Sequence, residues 1–296
     1  MNIINTNLPK CCVLLAAHNG IRFLRNQVDT ILNQKDVQVE LYISIDKSSD
    51  GTEEFLEKIK MNNDNVRIIS CRQRFGSAAK NFYHLISGVD VAKFDYVAFS
   101  DQDDIWDLDK LSSAIDQMKI ASAVGFSSDV MSYWPISGKK KLLKKSYKQT
   151  TCDHYFESPG PGCSQVFTAN TFVLFQEFTR KNMKLISAFD YHDWLTYAFY
   201  RENSLNWLIS DQPKMLYVQH ETNQLGANFG LSGFLKRVQM INSKWYRSHV
   251  FLLRDIFNNK EMKASFTWFM LNHCVTLRRR KAHSLGIFFL FLCRVF

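Results

Sequence analysis

Three acids, Asp101, Asp103 and Asp104, follow directly on the apolar run Tyr96, Val97, Ala98, Phe99. Carboxylates this close repel one another and resist shared burial. A divalent cation removes that repulsion. Hard cations such as Mg²⁺ and Mn²⁺ prefer carboxylate oxygens and often share their shell with a substrate's phosphates. One reading of the cluster is therefore a metal–diphosphate site. The other is a solvated turn in which Asp104 caps a helix beginning near Asp107. A further acid, Asp193, opens a segment with helical periodicity (Trp194, Leu195, Ala198, Phe199), where an acid commonly caps a helix. Ser158-Pro159-Gly160-Pro161-Gly162-Cys163 cannot be a regular element and predicts a tight loop whose backbone approaches a ligand.

These residues need a frame. The run before Asp101 reads as a buried strand, and in open α/β sheets ligands collect beyond the carboxyl ends of strands. Cys11 to Ala17, Val39 to Ile45 and Val66 to Cys71 read as three earlier strands. Between them, apolar residues at helical spacing (Phe23, Leu24, Val28, Ile31; then Phe55, Leu56, Ile59; then Phe82, Leu85, Ile86) predict helices. Alternating strands and helices predict a mostly parallel sheet with right-handed crossovers. Four such units fit the first ~115 residues at roughly 30 residues each. This is a Rossmann-like nucleotide-binding half. It has no G-x-G-x-x-G and no G-x-x-x-x-G-K-[ST], which disfavours a dinucleotide cofactor and excludes a P-loop NTPase. Further on, Val166 to Phe175 reads as β-rich, and Leu205 to Ile209 and Lys214 to Val218 as short strands. Lys139 to Lys148 (KKKLLKKSYK) reads as a solvated basic loop, or else as a lip facing acceptor or lipid phosphates.

The 296 residues are 46% hydrophobic and 14% aromatic, enough for a sizeable core and unlike a disordered chain. No run of about 18 apolar residues is present, so no transmembrane helix is expected. The N-terminus lacks a basic region followed by an apolar one, so no secretory signal is expected. Seven scattered cysteines without a C-x-x-C pair argue against structural zinc and for reduced thiols in a cytoplasm. The net charge of +9 is concentrated in residues 230–296, which hold 12 Lys/Arg against 2 Asp/Glu. That tail fits an anionic membrane surface, a phosphate-bearing acceptor, nucleic acid, or a solvated helix face. Arg278 to Lys281 precede the apolar run Leu285 to Cys293, which is too short to span a bilayer. It suits either an interfacial anchor or a helix packed on the core. No specific nucleic-acid function is assigned.

From about Cys11 to about Gly226 the chain resembles family 2 glycosyltransferases of the type-A fold, in particular the bacterial rhamnosyltransferase-like branch. The resemblance rests on order and spacing. It includes Ala17-His18-Asn19-Gly20 after the first strand, Asp46 after the second, and Gly76 with Asn81-Phe82. It continues through Ser100-Asp101-Gln102-Asp103-Asp104-Ile105-Trp106, Pro159 to Cys163, His192-Asp193-Trp194, and Gln219-His220 with Asn223 and Gly226. It implies a catalytic domain over 1–229 (nucleotide-sugar half 1–115, acceptor half 116–229) and a helical basic extension over 230–296. It implies a nucleoside diphosphate sugar donor, dTDP- or UDP-linked, contacted by Ala17, His18, Asn19, Asp46, Gly76, Asn81, Asp101 and Gln102. Asp46 would accept from the ring N–H of the pyrimidine. Asp103 and His220, with Asp101, would hold Mg²⁺ or Mn²⁺. Asp193 would be the general base of an inverting transfer, its pKa kept low by the helix terminus. Trp194 is expected in the core.

The implied function is sugar transfer, rhamnose from dTDP-rhamnose as first choice, to a lipid-diphosphate-linked glycan in O-antigen or capsule synthesis. The implied location is the cytoplasm, at the inner face of the membrane. The alternatives are a hexosyltransferase using UDP-galactose or UDP-glucose, a phosphotransferase with an Asp-x-Asp nucleophile, or a non-catalytic nucleotide-sugar binding protein. Relatives commonly carry Asp-Asp-Gly-Ser where this chain has Ile45-Asp46-Lys47-Ser48, and Asn where it has Arg74-Phe75 before Gly76.

Overall fold

The computed structural model describes residues 8–69, 74–220 and 244–296. A seven-stranded sheet forms its centre, in the order β10-β6-β9-β4-β1-β2-β3. β1 (Lys10–Ala17) pairs in parallel with β2 (Gln38–Ile45) and β4 (Tyr96–Ser100), and β2 with β3 (Val66–Ile69). β9 (Val166–Thr168) runs antiparallel between β4 and β6 (Gly125–Ser128), and β10 (Trp207–Ser210) is parallel to β6. Cys11 to Leu15 of β1 are fully buried, as a central strand covered on both faces requires. The chain steps outward from β1 to β2 and β3, then returns to the other side at β4. The carboxyl ends of β1 and β4 thus meet at a topological switch point, where open sheets open a crevice.

Helices close both faces. α1 (Ile21–Leu32) turns Leu24, Gln27, Val28 and Ile31 inward, an i, i+3, i+4, i+7 set. α2 (Thr52–Met61) links β2 to β3. α3 (Ala78–Gly88) begins at Ser77, whose side chain accepts from the Lys80 N–H at 3.3 Å. The βα alternation expected for the first ~115 residues is present.

Two expectations are corrected. Val166 to Phe175 is β only to Thr168 and continues as α6 (Ala169–Lys181), because Phe172, Phe175, Gln176 and Thr179 recur at helical spacing and are buried. Burial of that stripe overrides the strand preference of its aromatic residues. Lys139 to Lys148 is not simply a solvated loop. Lys139–Leu143 is β8, the edge strand of a second sheet that runs β5 (Ile105–Trp106), β11 (Met215–Val218), β7 (Val130–Trp134), β8. Its exposed lysines suit an edge that must not pair with another chain.

The helices Trp245–Ile256, Lys260–Ala264, Phe266–Asn272 and Lys281–Leu292 belong to the C-terminal extension. Its expected boundary at 229/230 lies outside the described residues. Val250, Leu253, Met262, Phe269, Leu277 and Ile287 join the core cluster that holds Phe156, Trp194 and Tyr197. The run Leu285 to Cys293 therefore packs on the core through Ile287, while Leu285, Phe289 and Leu292 stay exposed. Among the described residues no helix is long and apolar enough to cross a membrane.

Candidate active site

A cleft of about 620 Å³ lies over the switch point. Its wall includes Ala17, His18, Asn19, Asp46, Arg74, Gly76, Asn81, Asp101, Gln102, Asp103, Lys145, Ser158, Gly162, His192, Asp193, Tyr217 and His220. Every residue expected to touch the donor, the metal or the acceptor proton thus borders one space. Asn223 and Gly226 lie outside the described residues.

The nucleoside side is stitched by backbone-directed bonds. Asp46, almost fully buried, accepts from the N–H of Lys47 (2.8 Å) and Phe75 (3.1 Å) at Oδ1 and from Gly76 (2.9 Å) at Oδ2. Gly76 has φ +75°, a conformation that favours glycine. Oδ1 is filled, while Oδ2 keeps one lone pair for a further donor. Asn81 Nδ2 spans the ends of β1 and β2, reaching Ala17 O (3.3 Å) and Ser44 O (3.2 Å). Gln102 forms a two-bond ladder with His18, accepting from its N–H (2.8 Å) and donating to its carbonyl (2.9 Å). Asn19 Oδ1 accepts from Ser49 N (2.8 Å), fixing the next loop. Asn81, Gln102 and Asn19 therefore shape the cleft from its frame. Arg74 borders the cleft, whereas Lys47 is exposed and does not.

The acid cluster divides. β5 (Ile105–Trp106) pairs antiparallel with β11 (Met215–Val218), which places the residues before β5 beside those after β11. Asp103 Oδ2 and His220 Nε2 meet at 2.7 Å, and His220 stacks on Phe23 with centroids 4.3 Å apart. Asp104 is not a helix cap. It is buried and accepts from Val218 N at 3.3 Å, and the next helix, α4 (Lys110–Ile120), starts only six residues later. Burial, then the neighbouring Asp103 and Asp101, push its carboxyl well above the usual range. Burial and then Asp103 raise Asp101 to about 7.

Two donor sets could hold a cation. An oxygen of Asp101, an oxygen of Asp104 and Sγ of Cys163 lie within 4.8 Å of one another. However, burial raises the Cys163 thiol well above its ordinary value, and neither Cys163 nor Asp104 borders the cleft. Asp101, Asp103 and His220 do border it, and their oxygen and imidazole donors suit Mg²⁺ or Mn²⁺. The cleft wall carries five carboxylates, Asp46, Asp101, Asp103, Asp190 and Asp193, against the cationic Arg74 and Lys145. A bound divalent ion would offset that excess before an anionic diphosphate entered.

Opposite this pair, Asp193 lies in the first turn of α8 (His192–Glu202). Its Oδ2 accepts from Ser158 Oγ at 2.8 Å, and its backbone carbonyl accepts from Gln165 Nε2 at 3.1 Å. The expectation of a low pKa is corrected. Burial raises the carboxyl, outweighing the Ser158 hydroxyl, the Trp194 N–H and Lys145, which all act to lower it. His192 stacks on Phe82 at 3.7 Å, and burial pushes its imidazole down to about 3, so it is a neutral wall. Trp194 is a core residue, donating from Nε1 to His154 O at 2.8 Å.

Sequence reasoning missed Lys145, Ser158 and His192 as cleft residues. Lys145 was hidden in a charge run. Burial lowers its ammonium to about 8. Ser158 had a signal, since it opens the Pro-Gly loop.

The sequence pattern of glycosyl transferase family 2 matches residues 12–179. Over 290 residues the chain is 37% identical to the dTDP-rhamnosyl transferase RfbG of Shigella flexneri, covering 95% of this chain and 100% of that one. By fold it is similar to S. aureus TarS 1–349 in complex with UDP-GlcNAc, with a TM-score of 0.55 at 16% identity over 95% of this chain and 81% of that chain. It is also similar to the mannosyltransferase PcManGT of Pyrobaculum calidifontis in complex with GDP-Man and Mn²⁺. There the TM-score is 0.50 at 12% identity, over 95% of this chain and 75% of that chain. The structural likenesses speak to the fold; the near-full-length relative and the family pattern show that this chain belongs to glycosyl transferase family 2.

Proposed function

We propose that the protein is an inverting, metal-dependent rhamnosyltransferase of surface polysaccharide (O-antigen or capsule) synthesis, using dTDP-rhamnose. The donor assignment rests on the relative from Shigella flexneri. The reaction class rests on one observation above all: the Asp103–His220 pair and Asp193 border the same cleft from different elements, the loop between β4 and β5 with the end of β11, and the start of α8. Asp46 Oδ2 receives the thymine ring N–H. Asp103 and His220, with Asp101, hold Mg²⁺ or Mn²⁺, the ion seen with the Pyrobaculum enzyme. When bound, that ion supplies Lewis-acid stabilisation of the departing diphosphate. Asp193 takes the proton of the acceptor hydroxyl, and its raised pKa brings it closer to the pH at which a general base works best. Ser158 and the Asp193 neighbours on α8 keep that carboxylate aimed at the cleft.

The acceptor is a lipid-diphosphate-linked glycan at the cytoplasmic membrane face. Exposed Leu285, Phe289, Leu292 and Val295 beside exposed Arg280, Lys281 and Arg294 support docking on an anionic surface. The test is a panel of nucleotide sugars scored by Mn²⁺-dependent thermal stabilisation, followed by transfer assays. dTDP-rhamnose should stabilise most, Asp103→Ala should abolish metal-dependent binding and transfer, and Asp193→Asn should abolish transfer alone. Stabilisation by UDP-galactose or UDP-glucose with none by dTDP-rhamnose would overturn the donor, and full turnover in Asp193→Asn would overturn the base.

A further inference from the structure

The C-terminal extension reaches the segment behind the cleft through a buried arginine. Arg279 donates from Nη2 to the Ser158 carbonyl at 2.7 Å and from Nη1 to Asp153 Oδ2 at 3.0 Å. Its backbone N–H donates to Glu157 Oε1 at 2.6 Å. Its guanidinium lies 5.8 Å from the centre of the Tyr197 ring, four residues along α8 from Asp193. Asp153 is itself fully buried, accepting also from Tyr197 Oη (2.6 Å) and Arg201 Nη1 (2.8 Å). Burial alone would raise the Glu157 carboxyl; Arg278 and Arg279 reverse that and hold it below its ordinary value. So the Arg278 to Lys281 run, which the sequence offers as a surface feature, places two of its cations inside the fold. They grip the segment Asp153 to Ser158 that leads to the base.

We propose that Arg279 is a positioning residue for catalysis: it fixes the Ser158 carbonyl so that the Ser158 hydroxyl is aimed at Asp193. This rests on Asp193 being the base. A hydroxyl has one proton to give. Ser158 Oγ stands 2.8 Å from Asp193 Oδ2 and 2.6 Å from Gly160 O. While Asp193 is ionised, Ser158 donates to it. Once Asp193 has taken the acceptor proton, it donates to Ser158 Oγ, and Ser158 turns its own proton to Gly160 O. The base thus has a partner in both protonation states, provided the Ser158 backbone stays where Arg279 holds it. A lysine in place of Arg279 has no fork with which to bridge Asp153 and the Ser158 carbonyl at once. The other groups facing Asp193 are Lys145 in the irregular segment after β8, Asp101 at the end of β4, and Tyr83, Asp190 and Tyr191 from α3 and the approach to α8. None of them belongs to the extension.

The test measures dTDP-rhamnose turnover by the full chain across pH for Ser158→Ala, Arg279→Lys and the double variant, with thermal melts alongside. Ser158 stabilises the ionised base, so its loss should move the acid limb of kcat/KM upward by about one pH unit and lower kcat roughly 10-fold. Arg279→Lys should shift the same limb in the same direction, and the double variant should be no worse than the poorer single one. Added methylguanidine should recover part of the activity of Arg279→Ala. Wild-type kcat and an unmoved acid limb in Arg279→Lys, with Asp193→Asn inactive, would overturn the proposal while leaving the base intact. Turnover in Asp193→Asn would remove the base reading instead. If Arg279→Lys and Arg279→Ala both melt without a folded baseline, Arg279 is a purely structural residue and the proposal fails.

Discussion

Gly162→Ala should lower turnover by up to roughly 10²-fold by displacing His192 and Asp193 rather than by removing a functional side chain. Gly162 has no left-handed φ, so alanine meets no backbone penalty there, and the effect is purely steric. A Cβ would lie 2.6 Å from His192 Nε2, 3.1 Å from its Cε1 and 3.4 Å from Asp193 Cβ. Relaxed contacts sit at about 3.5–4.0 Å, so the imidazole must retreat by about 1 Å. It has nowhere to go. Its ring is stacked on Phe82 at 3.7 Å and meets Phe99 edge-on at 5.2 Å. The strain therefore passes along α8 to the adjacent Asp193. Overpacking of this kind costs about 1–3 kcal/mol of stability, and a misplacement of about 1 Å at a reacting group costs up to roughly 10²-fold in rate. The donor side of the cleft is untouched, so kcat should fall with little change in the donor KM. Steady-state transfer kinetics and thermal melts measure both. Gly88→Ala is the control, since nothing lies within 4 Å of its Cβ and its φ is ordinary. An undiminished kcat together with an unchanged Tm in Gly162→Ala would refute the reasoning, because His192 would then be free to move.

Asp193→Asn should be inactive yet at least as stable as wild type at pH 7. The folded-state pKa is raised, so the fold binds a proton more tightly than the unfolded chain, and wild-type stability drops as pH rises through that interval. The Tm advantage of the variant should vanish as pH falls well below the ordinary carboxylate pKa, where wild-type Asp193 is protonated in both states. Activity of the wild type should rise with pH through the same raised pKa, read as the acid limb of kcat/KM. Asp46→Ala leaves three backbone N–H groups without their acceptor and should cost roughly 2–4 kcal/mol by chemical denaturation, with dTDP binding lost as well. Gly20→Ala places a Cβ 2.3 Å from Gln102 Oε1 and should break the Gln102–His18 ladder, raising the donor KM.

Much of the donor half was legible because local chain chemistry fixes it. Apolar runs ending in Asp46 and Asp101 could only be strands leaving a sheet, and strand ends in such sheets converge. The pairing of Asp103 with His220 is different. It depends on β5 and β11, a two-residue and a four-residue strand 110 positions apart at Ile105 and Met215, and no periodicity announces a two-residue strand. Asn81 and Gln102, expected as donor contacts, both border the cleft and also tie its frame together. Their amide groups bind backbone carbonyls and amides that would otherwise be orphaned at strand ends, a role no sequence spacing announces. Asp193 could be placed at a helix start, but the sign of its pKa shift could not. That sign is decided by burial, which the sequence shows only as the aromatic richness around it.

The family pattern stops at 179, and the site does not. Asp193, His220 and Arg279 all lie beyond it. The split follows from what each half must recognise. A nucleoside diphosphate presents the same base N–H and the same phosphates whatever sugar it carries, so a fixed set of strand ends serves it. The acceptor half must hold its base against a hydroxyl whose position depends on the acceptor, and it does so with elements that come from far apart in the chain. The extension contacts the walls of that half closely: Thr150 Oγ1 donates to Thr276 O at 2.7 Å, Asn259 Nδ2 to Tyr155 Oη at 3.0 Å, and His249 Nε2 pairs with Asp190 Oδ2 at 3.1 Å. The wall residues they engage all precede Asp193, the last of them, Asp190, by three positions. A helical appendage that served only to meet a surface would have no need to bury Arg279 beneath the loop that holds the base, since a guanidinium is costly to desolvate unless its donors are matched. Here Nη1 is matched to Asp153 and Nη2 to the Ser158 carbonyl, with Glu157 Oε2 3.4 Å from Nη2, which ties the extension to the segment that carries Ser158.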